Sequence, residues 1–176
     1  MRDFVVPEEA KHYIAMHRTH IKPDEYAADV EKDFLQIEPF LPEKVDSIID
    51  IGCGMAGIDV FLKRKYPNAH LCLLDGDGEK FGAGWNKTLE PFSSRSIAEK
   101  LLKANDVEVD CWHDIGTPDK LSADLVISLL SWGFHYPLDT YKVSGFVICD
   151  LRIDRERPRG KIIAETAKYN RCAFNL

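Results

Sequence analysis

The stretch SIIDIGCGMAGIDVFL, residues 47–62, constrains the fold more than any other part of the chain. A strand is predicted over 45–51. Gly52, Gly54 and Gly57 follow it in the spacing G-x-G-x-x-G, and Ile58, Phe61 and Leu62 then recur at helical spacing until Pro67 closes the element. Between a strand and a helix each glycine has its own use. The first permits the tight turn, the second lets a ligand approach the backbone, and the third allows close helix packing.

The flanking sequence continues the strand–helix alternation. Residues 8–20 and 24–37 read as helices separated by Pro23, and Pro39 and Pro42 break the chain before the first strand. AHLCLLD, 69–75, is an apolar run of strand length. A helix is predicted over 93–103, with Ser96 and Glu99 spaced as a capping box and Ile97, Leu101 and Leu102 facing inward. Further strands are predicted at 107–111, 124–130 and 145–149. Nearly continuous apolar strands alternating with helices predict an α/β, Rossmann-like fold. The sheet is mostly parallel and doubly wound, with helices on both faces.

The glycine turn restricts the ligand. A dinucleotide would place its pyrophosphate at the helix start, where the carboxylate of Asp50 would be a second anion. S-adenosylmethionine (SAM) has no phosphate and carries an ammonium and a sulfonium, which Asp50 suits. Asp75, at the end of the second strand, would accept hydrogen bonds from ribose hydroxyls of either cofactor and does not discriminate. Asp50 therefore favours SAM over a nicotinamide cofactor.

Over about residues 45–150 the chain resembles the class I SAM-dependent methyltransferases. DIGCGMAG (50–57) looks like their first motif, and LLDGD (73–77) looks like the end of their second strand with its ribose-binding acid. CWHDI (111–115) falls where the family often has an acid near the adenine amino group, which makes Asp114 the matching position. ADLVISLLSW (123–132) and GFVICD (145–150) look like the fourth and fifth strands. The resemblance implies cofactor contacts at Asp50, Gly52, Gly54, Asp75 and Asp114. The family sheet has seven strands, the last two antiparallel. Here the residues after Asp150 are expected to form one helix, about 160–169, and one short strand. The expectation is a sheet shortened at that edge, or an edge covered by a second copy of the chain.

The best candidate for chemistry is SLLSWGFHYPLDTY, 128–141, which leaves the fourth strand where ligands sit in open α/β sheets. Methyl transfer is an in-line displacement with a neutral thioether leaving. The protein aligns the acceptor and, for a hydroxyl, removes its proton. His135 is the candidate base, Trp132 and Tyr136 are candidate substrate flanks, and Trp85 is a candidate adenine contact. His12, His17 and His20 lack an acidic ligand and give no metal signature, so no metal is expected. The five cysteines are scattered without a CxxC pair, which predicts free thiols in a reducing cytoplasm.

A net charge of −6 argues against a broad nucleic-acid surface. The run LRIDRERPRGK, 151–161, alternates in sign like a solvated face. No apolar run approaches membrane-spanning length, and MRDFVVPEEAK has no secretory pattern. The chain is expected to be one domain: a helical lid over 1–42, a cofactor-binding core over 43–150 and an extension over 151–176. The reading is a cytoplasmic methyltransferase acting on a small molecule, at oxygen rather than nitrogen or carbon. His135 and the lack of an Asn/Asp-Pro-Pro-aromatic motif carry the acceptor preference. The alternatives are an RNA methyltransferase, a non-catalytic SAM-binding partner subunit and a nicotinamide-dependent oxidoreductase.

Overall fold

The amphipathic segments ahead of the glycine turn form α1 (Lys11–His17) and α2 (Tyr26–Ile37), and the turn itself opens α3 (Gly57–Lys65). The computed structural model describes residues 3–76, 94–114 and 119–176. A fourth described helix, α4 (Arg95–Ala104), is capped by Ser94, whose hydroxyl accepts from the Ile97 amide at 3.4 Å. The cap therefore lies two residues before the predicted Ser96, because Ser94 has the extended backbone that a cap requires.

The apolar runs assemble into one sheet. β1 (Ser47–Ile51) has β2 (His70–Asp75) and then β3 (Cys111–Asp114) on one side, and β4 (Lys120–Ser128) and then β5 (Lys142–Arg152) on the other. All four of these pairings are parallel. β7 (Tyr169–Asn175) pairs antiparallel with β5, and β6 (Lys161–Glu165) antiparallel with β7. The order is β3-β2-β1-β4-β5-β7-β6. β3 begins later than the predicted 107–111 because the Val107 amide caps α4 by donating to Leu102 O at 3.0 Å. Pairing with β2 starts around Asp110.

The carboxyl-terminal region departs from expectation. The predicted helix at 160–169 is a β-hairpin, and among the described residues the sheet has seven strands, with its edge filled by this chain's own β6. The expected shortening at this edge, and with it the reason for a second copy to cover it, is therefore corrected. Tertiary contact overrides the local helical pattern. Arg171 of β7, 1% exposed, donates from Nε and Nη2 to Asp150 of β5 at 2.7 and 3.1 Å. Its Nη1 donates to Asp33 and Gln36 of α2 at 2.9 and 3.1 Å. As an antiparallel strand beside β5, β7 presents Arg171 to all three partners.

The four described helices cover one face of the sheet, where Ile14, Phe34, Leu62 and Leu101 bury against Ile48, Leu71, Leu73 and Ile127. Each such fully buried side chain stabilises by about 1.5–3 kcal/mol. On the other face Ile49, Ile51, Leu74 and Val147 pack with Trp132, Tyr136 and Leu138 of the β4–β5 connection. Among the described residues, then, helices cover the first face as expected, and an aromatic loop covers the second. No helix among the described residues is long and apolar enough to cross a membrane.

Candidate active site

The site is built where β1 and β2 end. The Gly52 amide donates to Leu74 O at 2.6 Å, and Gly52 and Gly54 have φ of +76° and +55°. Both therefore occupy the left-handed region that glycine tolerates without strain. A Cβ on Gly52 would collide with the Ser131 side chain, and one on Gly57 with the ring of Tyr26. Gly57 thus brings α2 against α3, as the spacing predicted, while the Gly54 amide donates to Oδ2 of Asp75.

Three carboxyls converge on this turn. Asp50 in β1 is 3% exposed, Asp75 closes β2, and Asp59 in the first turn of α3 is fully buried. Among the described residues no cation and no neutral donor reaches the oxygens of Asp59, whose carboxyl lies against that of Asp50. Burial pushes Asp50 well above the usual carboxylate range, and the neighbouring Asp59 and Asp75 add to the shift. Burial also pushes Asp59 up to about 7, against the opposing effect of Asp50. Two adjacent buried carboxyls without a cation do not both ionise readily. The cavity beside them, about 50 Å³, is lined by Arg18, Tyr26, Asp50, Gly52, Cys53 and Leu129 among others. Arg18 is committed to Asp29 and Asp33 of α2, both at 3.1 Å.

Asp75 and Asp114 are register partners at the ends of β2 and β3, so the structure brings these two predicted acids side by side. Asp114 also pairs with Arg95, whose guanidinium lies 5.2 Å from the ring centre of Trp112. His135 lies apart from this group. It is exposed, its ring centre is 4.9 Å from that of Phe134, and its backbone carbonyl accepts from Arg155 at 2.9 Å. Partial burial, then Arg152 and Arg155, hold its imidazole below the usual value. The charge run at 151–161 thus supplies two arginines that brace the loop.

Behind Ser131, the loop residue that meets Gly52, stands Tyr136. It is buried, its hydroxyl lies 3.2 Å from Ser131 Oγ, and it senses the charges of Asp75 and Asp50. Trp132 is fully buried with Nε1 donating to Leu138 O at 3.1 Å, which makes it a core residue and not a substrate flank. Trp85 and the side chain of His17 lie outside the described residues. His12 packs on Tyr13, and His20 faces Asp29 at 3.4 Å.

Sequence reasoning missed Asp59, although a lone acid inside the apolar run GIDVFL was a visible signal. It also missed Ser131, which meets Gly52 only through the β1–β4 pairing. The expectation of free thiols is corrected at one pair. Cys72 and Cys111, 39 residues apart, are register partners on β2 and β3 and form a disulfide, while Cys53, Cys149 and Cys172 are free. Spacing along the chain carries no sign of this pairing.

No family model and no curated protein matches the chain. Among solved structures, StiE O-MT matches with a TM-score of 0.52 and 12% identity, over 83% of this chain and 53% of that one. The plantazolicin methyltransferase BpumL, in complex with SAH, gives 0.45 and 14%, over 81% and 53%. The O-methyltransferase TomG from Streptomyces achromogenes, in complex with SAM, gives 0.41 and 13%, over 82% and 65%. The fold is that of the class I SAM-dependent methyltransferases. The chain spans about half the length of the first two of these structures.

Proposed function

We propose that this chain is a SAM-dependent methyltransferase acting on a small-molecule acceptor, at oxygen in preference to nitrogen or carbon. The observation that carries the reading is the acidic glycine turn. Asp50 and Asp59 are buried beside it with no cation paired to either among the described residues, and Asp75 is hydrogen-bonded to its backbone. Such a turn repels pyrophosphate and suits a cofactor with an ammonium and a sulfonium. A carboxylate that accepts a backbone N–H can equally accept ribose hydroxyls.

The residues present fit SAM. In this reading Asp50 answers its ammonium, Asp75 its ribose and Asp114 its adenine amino group, while Gly52 and Gly54 admit it close to the backbone. The cofactor, when bound, supplies the activated methyl group. The cavity of about 50 Å³ is far smaller than the ~300 Å³ or more of common ligand pockets. The amino-terminal segment contributes Arg18 and Tyr26 to the cavity wall and acts as its lid. On the acceptor side His135 is the proposed base. Its lowered pKa keeps the imidazole neutral at neutral pH, the form that accepts a proton.

Calorimetry and thermal melts with SAM, SAH and NADH test the reading. SAM and SAH should bind and stabilise the fold by roughly 2.7 kcal/mol at ~100 times the dissociation constant, with no response to NADH. NADH binding without a SAM response would overturn it. Asp50→Asn should weaken SAM more than an analogue lacking the ammonium. With an acceptor identified, His135→Gln should leave SAM affinity intact and lower turnover by ~10²–10⁴-fold.

A further inference from the structure

On the edge of the sheet, away from the glycine turn, β2 reads His70-Leu71-Cys72 and β3 reads Cys111-Trp112-His113. Alternate residues of a strand share a face, so each strand contributes one sulfur and one imidazole to the same side. The parallel register sets Cys72 opposite Cys111 and Leu74 opposite His113. The two histidines consequently flank the sulfurs from opposite ends. The ligand atoms of His70, Cys72 and Cys111 all lie within 4.8 Å of one another. His70 Nε2 stands 3.8 Å from Cys72 Sγ, and His113 Nε2 stands 3.7 Å from Cys111 Sγ.

We propose that the dithiol form of this chain holds one zinc-type divalent ion through His70, Cys72 and Cys111, with a solvent ligand in the fourth position and His113 beside Cys111. Tetrahedral zinc, with Zn–S of about 2.3 Å and Zn–N of about 2.0–2.1 Å, sets sulfur and nitrogen about 3.6 Å apart. Both imidazole–thiol pairs already stand close to that separation. Two sulfurs and an imidazole select a soft or borderline metal over magnesium or calcium.

The surroundings also suit a metal. His70 turns Nε2 toward the sulfur and Nδ1 toward Asp110 Oδ1 at 3.6 Å, the carboxylate–histidine arrangement that orients metal-binding imidazoles. Asp110 is itself fixed, accepting from the Leu71 amide at 2.7 Å. Cys72 is buried, and Cys111, His113 and the exposed His70 leave a solvent side from which an ion can enter.

The disulfide and the metal are alternative occupants of one place. Reduction by a phosphine breaks the S–S bond and gives two thiols, while the phosphine takes an oxygen from water. Metal binding then releases both thiol protons to solvent and leaves two thiolates on the ion. The ion would tie edge strand β3 to β2, the strands that end in Asp114 and Asp75.

The test uses the full chain, reduced with phosphine and kept anaerobic, titrated with Co²⁺ and then Zn²⁺. The expected result is one equivalent of cobalt with thiolate-to-cobalt charge transfer and tetrahedral ligand-field bands, all displaced by zinc. Zinc should also shield Cys111 of the unmutated protein from alkylation, a readout independent of whether variants fold. Cys111→Ser should abolish the bands, and Asp110→Asn should weaken binding by ~10–100-fold. The proposal is overturned if the reduced protein shows no charge-transfer band, if Cys111→Ser retains it at full strength, or if zinc leaves alkylation unchanged.

Discussion

Two buried aspartates on parallel strands of one sheet have opposite circumstances. Asp150 in β5 is fully buried and meets the bidentate guanidinium of Arg171. Asp50 in β1 is equally sequestered, but its neighbours are two more carboxyls, and no ion pair among the described residues reaches it. Burial raises both groups. At Asp150 Arg171 opposes the shift, whereas at Asp50 the neighbours reinforce it. A paired charge consolidates structure. A buried acid without a cation costs stability, and a positively charged ligand recovers that cost. The first carboxylate is architectural, and the second is the one proposed to answer a ligand.

The strongest challenge to this contrast is Arg171→Met. It leaves Asp150 buried and unpaired and should cost ~3–5 kcal/mol in urea or thermal unfolding. The double variant with Asp150→Asn should recover much of the loss. A cost below ~1 kcal/mol would show that the pair contributes no more than a surface bridge. At the other region Asp75→Ala should leave the fold intact and weaken SAM by ~1–3 kcal/mol in calorimetry.

Asp59→Asn probes the unpaired acids directly. The folded pKa of Asp59, about 7, lies above its ordinary 3.8. Its contribution to stability is therefore fully present below pH 3.8 and lost as pH rises through about 7. The variant should gain ~1–2 kcal/mol over the parent at pH 8 and nothing at pH 3. A pH-independent difference would break the assignment. The smallest effect is expected from Asp33→Asn, at about 1 kcal/mol. Asp33 is one of three partners of Arg171 and also serves Arg18, so the remaining contacts should hold both guanidinium groups.

The contrast also separates what was legible in the sequence from what was not. The β1–turn–α3 unit was readable because its logic is local: an apolar strand, glycines at fixed offsets and a helical repeat. Asp50 and Asp75 followed from it. The β6–β7 hairpin was not readable, since KIIAETAKYN carries a plausible helical spacing and the contacts that settle it lie on β5 and α2. The pairing of Cys72 with Cys111 depends on a register between strands far apart in sequence. Cysteine spacing alone could not show it. His135 lies on the loop beyond β4, but the loop residue that meets the turn is Ser131, and that contact depends on the β1–β4 pairing, which local sequence does not show.

Arg171 also has a consequence for the order of events in folding. It follows Asp33 by 138 residues and Asp150 by 21, and it joins both. During synthesis α2, β1 and β5 all emerge before the cation that neutralises the acids between them. Until then Asp150 must stay hydrated or protonated, and α2 cannot dock permanently over that part of the sheet. Such distant contacts carry a loop-closure cost that is recovered only on completion. The arrival of Arg171 therefore acts as a timing signal that commits the helical layer to the sheet.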